Sequence, residues 1–271
     1  MAEALEAARR RLEDERRAEF RAFGIPESCL WPASRLFHEH SSLGPAWAPI
    51  FTVEEAESFT RELDYKRYPG AERAALPRSG PLSGDLEEAI RARRSNRVFT
   101  AESVSLAEIG KLLELSCGVT EPDEIPRRAA PSGGALYPVE TYVVALRVNG
   151  LRPGIWHYVP VDHVLEHVRR VDGIDVLRPF LPPGLVEGAP TLMLALSAVF
   201  ARTQMKYLER GYRFALLEAG HVAQNIVLVA TALGLASVCV GGFWDEPFND
   251  FLELEPAEEA VVYSVLLGSA V

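Results

Sequence analysis

Three short apolar runs set around one long one restrict what this chain can become. Val139 to Val148 is apolar and β-rich and reads as a central strand. Thr191 to Phe200 is a continuous apolar run, ambiguous by periodicity but short enough for a buried strand, and Val261 to Leu267 supplies another strand. Tyr207 to Leu233 is apolar on several faces and too long for a strand, so it reads as a central helix. Ile155 to Tyr158 and Val164 to Val168 read as a hairpin, and Ser237 to Val240 as a further strand. Strands interrupted by long helices predict an α+β sheet with helices on its faces.

The helix boundaries are written locally. Leu86 to Arg94 follows Asp85, a residue suited to cap a helix N-terminus. Ser105 and Glu108 form a capping box for a helix running to Cys117, and Gly118 ends it. Ile226 to Phe243 is the most apolar stretch, but Gly234, Gly241 and Gly242 break it, so it reads as buried helix then buried strand rather than a membrane span.

Upstream the character changes. Ala2 to Phe23 carries dense charge of both signs and reads as an exposed helix or an interaction arm. Gly24 to Gly84 is rich in proline and aromatics and reads as an irregular arm with one short helix near Val53 to Leu63. It serves either as a packing extension or as a substrate-facing clamp. The expected division is an arm over 1–84 and a core domain over 85–271.

Charge narrows the partners. With 28 basic and 38 acidic residues the net charge is −10, which disfavours nucleic acid and anionic membranes. Cys29, Cys117 and Cys239 lie far apart without metal-ligand spacing, which favours a reducing cytoplasm. Charge from Glu3 onward leaves no apolar core for a signal peptide.

Against that acidic background, Arg93-Arg94-Ser95-Asn96-Arg97 concentrates guanidiniums and a hydroxyl that can hold a phosphate bidentately. Its plain alternative is a basic helix end favoured by the helix dipole. Pro131-Ser132-Gly133-Gly134 opens a loop whose missing side chains admit a flat ligand, or simply a turn before a strand. Gly241-Gly242 after an apolar strand carries the same two readings. His163-Val164-Leu165-Glu166-His167 fits an H-x-x-E-H zinc pattern, but it alternates like a hairpin strand, so no metal is expected. His221 reads as a packed core histidine, and Glu218 as structural with a lesser prospect of touching substrate.

In order and spacing these segments resemble the nitroreductase-like flavoproteins, specifically the SagB-type dehydrogenases that oxidise azolines. The resemblance continues through Leu151–Tyr158 (LRPGIWHY), Lys206–Arg213 (KYLERGYR), Leu217–Asn225 (LEAGHVAQN), Gly234–Phe243 (GLASVCVGGF) and Leu266-Leu267-Gly268. It covers roughly Asp85 to Gly268, and extends more faintly through Phe37-His38-Glu39 and Tyr68-Pro69-Gly70.

The resemblance implies a nitroreductase-like α+β fold: a central mixed, mostly antiparallel sheet flanked by helices, in a homodimer. It implies FMN, held by Arg93, Arg94, Ser95 and Arg97, with Pro131, Ser132, Gly133 and Gly134 reaching across from the other subunit. It also implies a Gly241 or Gly242 backbone N–H at the flavin N5. Tyr137-Pro138 stands where many nitroreductases have Gln-Pro, a departure shared with the azoline-oxidising branch.

Lys206 and Tyr207, otherwise a solvated pair on an exposed helix, become the catalytic residues. They would take the Cα proton of a thiazoline or oxazoline, either as a desolvated lysine or as a tyrosine with its pKa lowered by the lysine. The expected substrate is a modified peptide, O₂ the final electron acceptor, and a cyclodehydratase complex a candidate partner. Because the sequence ends at Val271, without late basic contacts, the phosphate grip is expected to rest on Arg93 to Arg97. The alternatives are a generic NAD(P)H-dependent nitro/quinone reductase and a flavin-poor scaffold subunit.

Overall fold

The computed structural model describes residues 32–43, 65–78, 80–122, 126–185 and 187–270, with positions 10, 11, 14 and 18. The rest of the expected charged helix over 2–23, and the short helix near 53–63, lie outside the described residues. The chain forms two compact units, Met1–Trp47 and Ala48–Val271. In the first, Pro32–His40 forms helix α1, within a stretch expected to be irregular. Proline at the first helical position starts a helix without losing a hydrogen bond, which is the local reason for the difference.

The second unit is built on one seven-stranded sheet. Its strands are β1 (Arg73–Ala75), β2 (Val139–Ala145), β3 (Gly154–Val159), β4 (Val164–Arg169), β5 (Leu192–Val199), β6 (Leu235–Val240) and β7 (Glu259–Ser269), in the order β1-β4-β3-β2-β5-β7-β6. All neighbouring pairs in this sheet are antiparallel. Parallel pairing is confined to two-residue contacts outside it. β1 comes from the region assigned to the irregular arm; it is an edge strand that closes the sheet against β4.

Both faces of the sheet are covered, which explains why β2, β3 and β5 are buried along nearly their whole length. On one face lie helices α2 (Leu86–Ala92), α3 (Leu106–Cys117) and α5 (Glu209–Ala232). Ile109, Leu112, Val222 and Ile226 of α3 and α5 pack there against Val143, Trp156 and Leu194. On the other face Phe180 stacks on Phe248 of helix α6 (Asp245–Leu252), at 4.1 Å between centroids, over Tyr142, Met193 and Val238.

The capping signals are realised as read. Asp85 accepts the Glu87 N–H, and Ser105 with Glu108 forms the reciprocal box. The long helix is not one piece. Helix α4 (Ala201–Tyr207) ends at Leu208, whose φ of 51° breaks the run before α5 begins. The break lets α4 fold back on α5 so closely that a Cβ on Gly211 would lie 2.6 Å from the Gln204 nitrogen. α5 is long and apolar enough to cross a membrane by composition, but half of its most apolar window is buried inside this unit.

Candidate active site

The expected site residues fall into two groups. The first gathers at β6. α2 stops at Arg93, which leaves the helix with ψ of 126° and carries the chain outward. The Asn96 N–H then donates to the Ser237 carbonyl at 2.9 Å and ties the segment to β6. Arg91 is engaged by Glu87 at 2.7 Å. Among the described residues the neighbouring arginines have no carboxylate partner. Arg93 reaches only the Ser95 hydroxyl, at 3.5 Å, and Arg94 turns back on the Arg91 and Arg93 carbonyls at 2.7 and 2.8 Å. Exposed Arg97 has no hydrogen bond or ion pair among the described residues. An uncompensated guanidinium cluster in an acidic protein suits a phosphate. At the far end of β6, Gly241 and Gly242 are exposed, and a Cβ on Gly242 would meet nothing within 4 Å.

The second group gathers where the chain enters β2. Gly134 has φ of 69° in the turn Gly133–Ala135, a left-handed conformation natural to glycine. Its surroundings are tighter than its backbone requires. A Cβ there would lie 2.6 Å from the Tyr207 hydroxyl and 2.9 Å from Lys206 Nζ, and one on Gly133 would lie 3.2 Å from the Phe214 ring. The loop and the Lys-Tyr pair of one chain therefore form a single packed cluster. Tyr207 meets Phe214 edge-on at 4.9 Å, and Lys206 Nζ lies 5.5 Å from the Tyr207 ring centre. Burial pushes the Tyr207 phenol up. Burial thus works against a phenolate at Tyr207, in the opposite sense to a neighbouring lysine's charge.

Beneath the cluster lies a polar network that the sequence reading missed. Arg202, on the helix expected to be exposed, is 6% exposed. Its Nη1 donates to the Tyr137 carbonyl at 3.0 Å and pairs with Glu140 at 2.6 Å. Glu140 also meets His157 Nε2 at 2.9 Å. Burial works against the Glu140 carboxylate, yet the His157 hydrogen bond and the Arg202 charge override it and hold the group at about 2. The one signal available was an acid, Glu140, inside the apolar run of β2.

Glu218 is 4% exposed on α5 and bonds the Ser132 hydroxyl. Ser132 Oγ in turn accepts the Tyr137 N–H at 2.9 Å. Burial pushes Glu218 up to about 7 against the lowering pull of Ser132 and Arg128. His221, expected in the core, is exposed on the outer face of α5. The H-x-x-E-H segment builds no zinc site: His163 sits in a turn with φ of 53°, and His167 lies on β4 with its ring edge-on to Trp156. Buried Glu166 is taken by the Tyr68 N–H and Arg73. No cluster of three metal-ligating side chains occurs among the described residues.

The two groups stay apart in one chain. Gly241 and Gly134 lie at the same end of the sheet, but β6 and β2 are three strand spacings apart, roughly 14 Å. The Nitroreductase family model matches residues 90–269, a span that contains both groups. The chain belongs to the nitroreductase family. A nitroreductase-like protein of Methanocaldococcus jannaschii is 36% identical over 171 residues, 63% of this chain and 85% of its own length. The microcin B17-processing protein McbC of Escherichia coli is 36% identical over 148 residues, 52% of this chain and 54% of McbC. This chain thus spans about half of McbC.

Solved structures share the nitroreductase fold. The E. coli microcin synthetase McbBCD complex with truncated pro-MccB17 bound contains a chain with TM-score 0.59 and 24% identity, covering 89% of this chain and 92% of that one. A nitroreductase from Exiguobacterium sibiricum in complex with FMN gives TM-score 0.50 and 16% identity, covering 71% of this chain and 91% of that one.

Proposed function

We propose that this nitroreductase-family oxidoreductase is an FMN-dependent dehydrogenase that oxidises thiazoline or oxazoline rings in a peptide to thiazoles or oxazoles. The observation that carries this reading is the Lys206–Tyr207 pair wedged against Gly134, a proton-handling pair built into the glycine loop. The relation to McbC, a microcin-processing protein, supports a peptide substrate. The similarity in fold to the McbBCD structure supports work inside a synthetase complex.

The residues present fit FMN. Arg93, Arg94, Ser95 and Arg97 offer positive charge and donors for its phosphate, with no carboxylate partner among the described residues, and the exposed Gly241-Gly242 backbone offers an N–H beyond them. Ser132, Gly133 and Gly134 present a surface nearly free of side chains. Bound FMN supplies the hydride acceptor for the ring carbon next to Cα. The Lys206–Tyr207 pair would take the Cα proton, on whichever of the two stands deprotonated, so that loss of a proton and a hydride makes the ring aromatic. Burial, which pushes the Tyr207 phenol up, favours a hydrogen bond from it that orients the ring.

A homodimer completes the site. Leu217 on the outer face of α5 is 54% exposed, and Leu86 and Ile90 of α2 are 67% and 55% exposed, apolar surface suited to a second copy. The test is the visible spectrum of purified protein, followed by its rate on a thiazoline peptide with O₂. Yellow protein that converts thiazoline to thiazole is expected. Brisk turnover of NAD(P)H with a nitroarene, and none of thiazoline, would replace this reading with a generic reductase. Colourless protein that refuses added FMN would leave a scaffold.

A further inference from the structure

We infer that Tyr65, upstream of the residues the family model matches, is a positioning residue for the oxidation: through Arg128 and Arg202 it braces Tyr137, and with it the loop on which Lys206 and Tyr207 are packed. The inference rests on the function proposed above and adds to its site a residue from the segment expected to be an irregular arm.

The loop needs holding because its backbone is costly. Ala135 and Tyr137 have φ of 54° and 44°, the left-handed region that side chains disfavour, and such residues persist only where their surroundings over-determine them. Tyr137 is held at four points. Its N–H donates to Ser132 Oγ at 2.9 Å, its carbonyl accepts from Arg202 Nη1 at 3.0 Å, and its hydroxyl accepts the Arg128 backbone N–H at 3.0 Å. The fourth is its ring, whose centre lies 4.5 Å from the Arg128 guanidinium. That guanidinium has no hydrogen bond or ion pair among the described residues, so aromatic contacts fix its place.

The other aromatic contact is Tyr65, whose ring centre lies 4.9 Å from Arg128 and 5.4 Å from Arg202. Both cations that hold Tyr137 therefore share one ring. Arg202 precedes Lys206 by one turn of α4, so the brace also reaches the helix that carries the pair. Tyr65 is itself fastened from behind. Lys66 pairs with Glu259 at 2.6 Å, and Glu259 also accepts the Tyr142 and Ser197 hydroxyls at 3.0 and 2.6 Å. Arg67 bonds Asp162 at 2.6 Å. The Tyr68 N–H donates to Glu166 at 2.8 Å, and its hydroxyl meets that of Tyr142 at 3.1 Å. Three consecutive residues are thus tied to β2, β4, β7 and the turn between β3 and β4, which leaves the Tyr65 ring set against the two arginines. A segment that only covered the core would need no such aim at the loop.

The experiment compares Tyr65→Leu, which removes the ring and keeps apolar bulk, with Tyr65→Phe, which keeps the ring. In hydrogen exchange followed by mass spectrometry, Tyr65→Leu should speed exchange over residues 129–137 roughly three- to thirtyfold, the worth of the stacking removed, and leave residues 216–232 of α5 unchanged. On a thiazoline peptide its kcat at saturating FMN should fall roughly tenfold, with FMN affinity kept. Tyr65→Phe should restore both. In a chain that also carries Lys206→Ala and Tyr207→Phe, Tyr65→Leu should lower the residual rate no further, because its effect passes through the pair. Unchanged loop exchange, acceleration spread equally over α5, a Tyr65→Phe chain as impaired as Tyr65→Leu, or a further loss in the chain without the pair each overturns the inference. Should Tyr65→Leu not fold, Arg128→Gln removes the same contact from its other side and is read by the same outcomes. If wild type ignores thiazolines, the reaction reading fails, and the exchange contrast still decides whether Tyr65 braces the loop.

Discussion

The Arg93–Arg97 segment and the cluster around Gly134 belong to the same site reading, yet they are built in opposite ways. The first is largely exposed, tied to β6 by the backbone hydrogen bond from Asn96 to Ser237, and its Arg93, Arg94 and Arg97 have no carboxylate partner among the described residues. The second is packed to van der Waals limits, with Arg202, Glu140 and His157 locked beneath it. The grip is a charge waiting for a ligand, and the cluster is a geometry already set. Changes in the first should therefore act on cofactor affinity, and changes in the second on rate at full occupancy.

The sharpest test of that division removes the pair. Lys206→Ala and Tyr207→Phe should each keep FMN and lose azoline oxidation by a factor of about 10²–10⁴. Loss of flavin together with rate would break the comparison, as would normal oxidation by both variants. Next in size, Arg97→Ala should weaken FMN binding roughly 10- to 100-fold, the worth of one charge-assisted contact, in a fluorescence titration. Its rate at saturating FMN should stay near wild type. A lower rate at saturation would show that the grip also sets geometry.

Gly134→Ala should have a smaller effect of a distinct kind. The left-handed backbone costs a side chain about 1–2 kcal/mol, and the new methyl must displace the Tyr207 hydroxyl. A rate loss of roughly tenfold with FMN retained is expected. An unchanged rate would mean that the close packing of Tyr207 on the loop has no catalytic consequence.

The smallest effect concerns stability. Glu218 sits at about 7 in the fold, above the ordinary glutamate value, so the folded state keeps a proton that the unfolded chain releases. Its stabilising contribution is full below the unfolded value and fades as pH rises towards 7; beyond that the buried charge is a cost. Glu218→Gln should leave the melting temperature nearly unchanged at pH 5 and raise it by a few degrees at pH 8, by differential scanning calorimetry. A gain of equal size at both pH values would place the effect in packing rather than in the proton.

What the sequence made legible was local. Asp85 and the Ser105–Glu108 box fixed their helices because capping needs only residues within one turn. The strands of the sheet other than β1 were visible as short apolar runs or hairpin alternation. The break at Leu208 was hidden because it depends on Gly211 meeting Thr203 and Gln204 across a corner, not on a helix-breaking residue at the break. Arg202 was misread for a related reason. Its polar character suggested solvent, and its partners Glu140 and Tyr137 are more than sixty residues away in sequence. The chemistry was legible as residue types, but the packing of Lys206 and Tyr207 on the loop, and their distance from the arginines, appeared only in three dimensions.

The position of β7 has a consequence for how the molecule comes into being. It is the last described strand in the chain, yet it is inserted between β5 and β6, and β6 has no other neighbour in the sheet. During synthesis, β6 and Gly241-Gly242 must wait with an unpaired edge until residues 259–269 leave the ribosome. The cofactor platform is then completed only once β7 has been made, from contacts of long sequence separation that form slowly. A nascent chain stalled before Glu259 would expose β5 and β6 together, and holding those edges apart from other chains is a task for chaperones rather than for flavin.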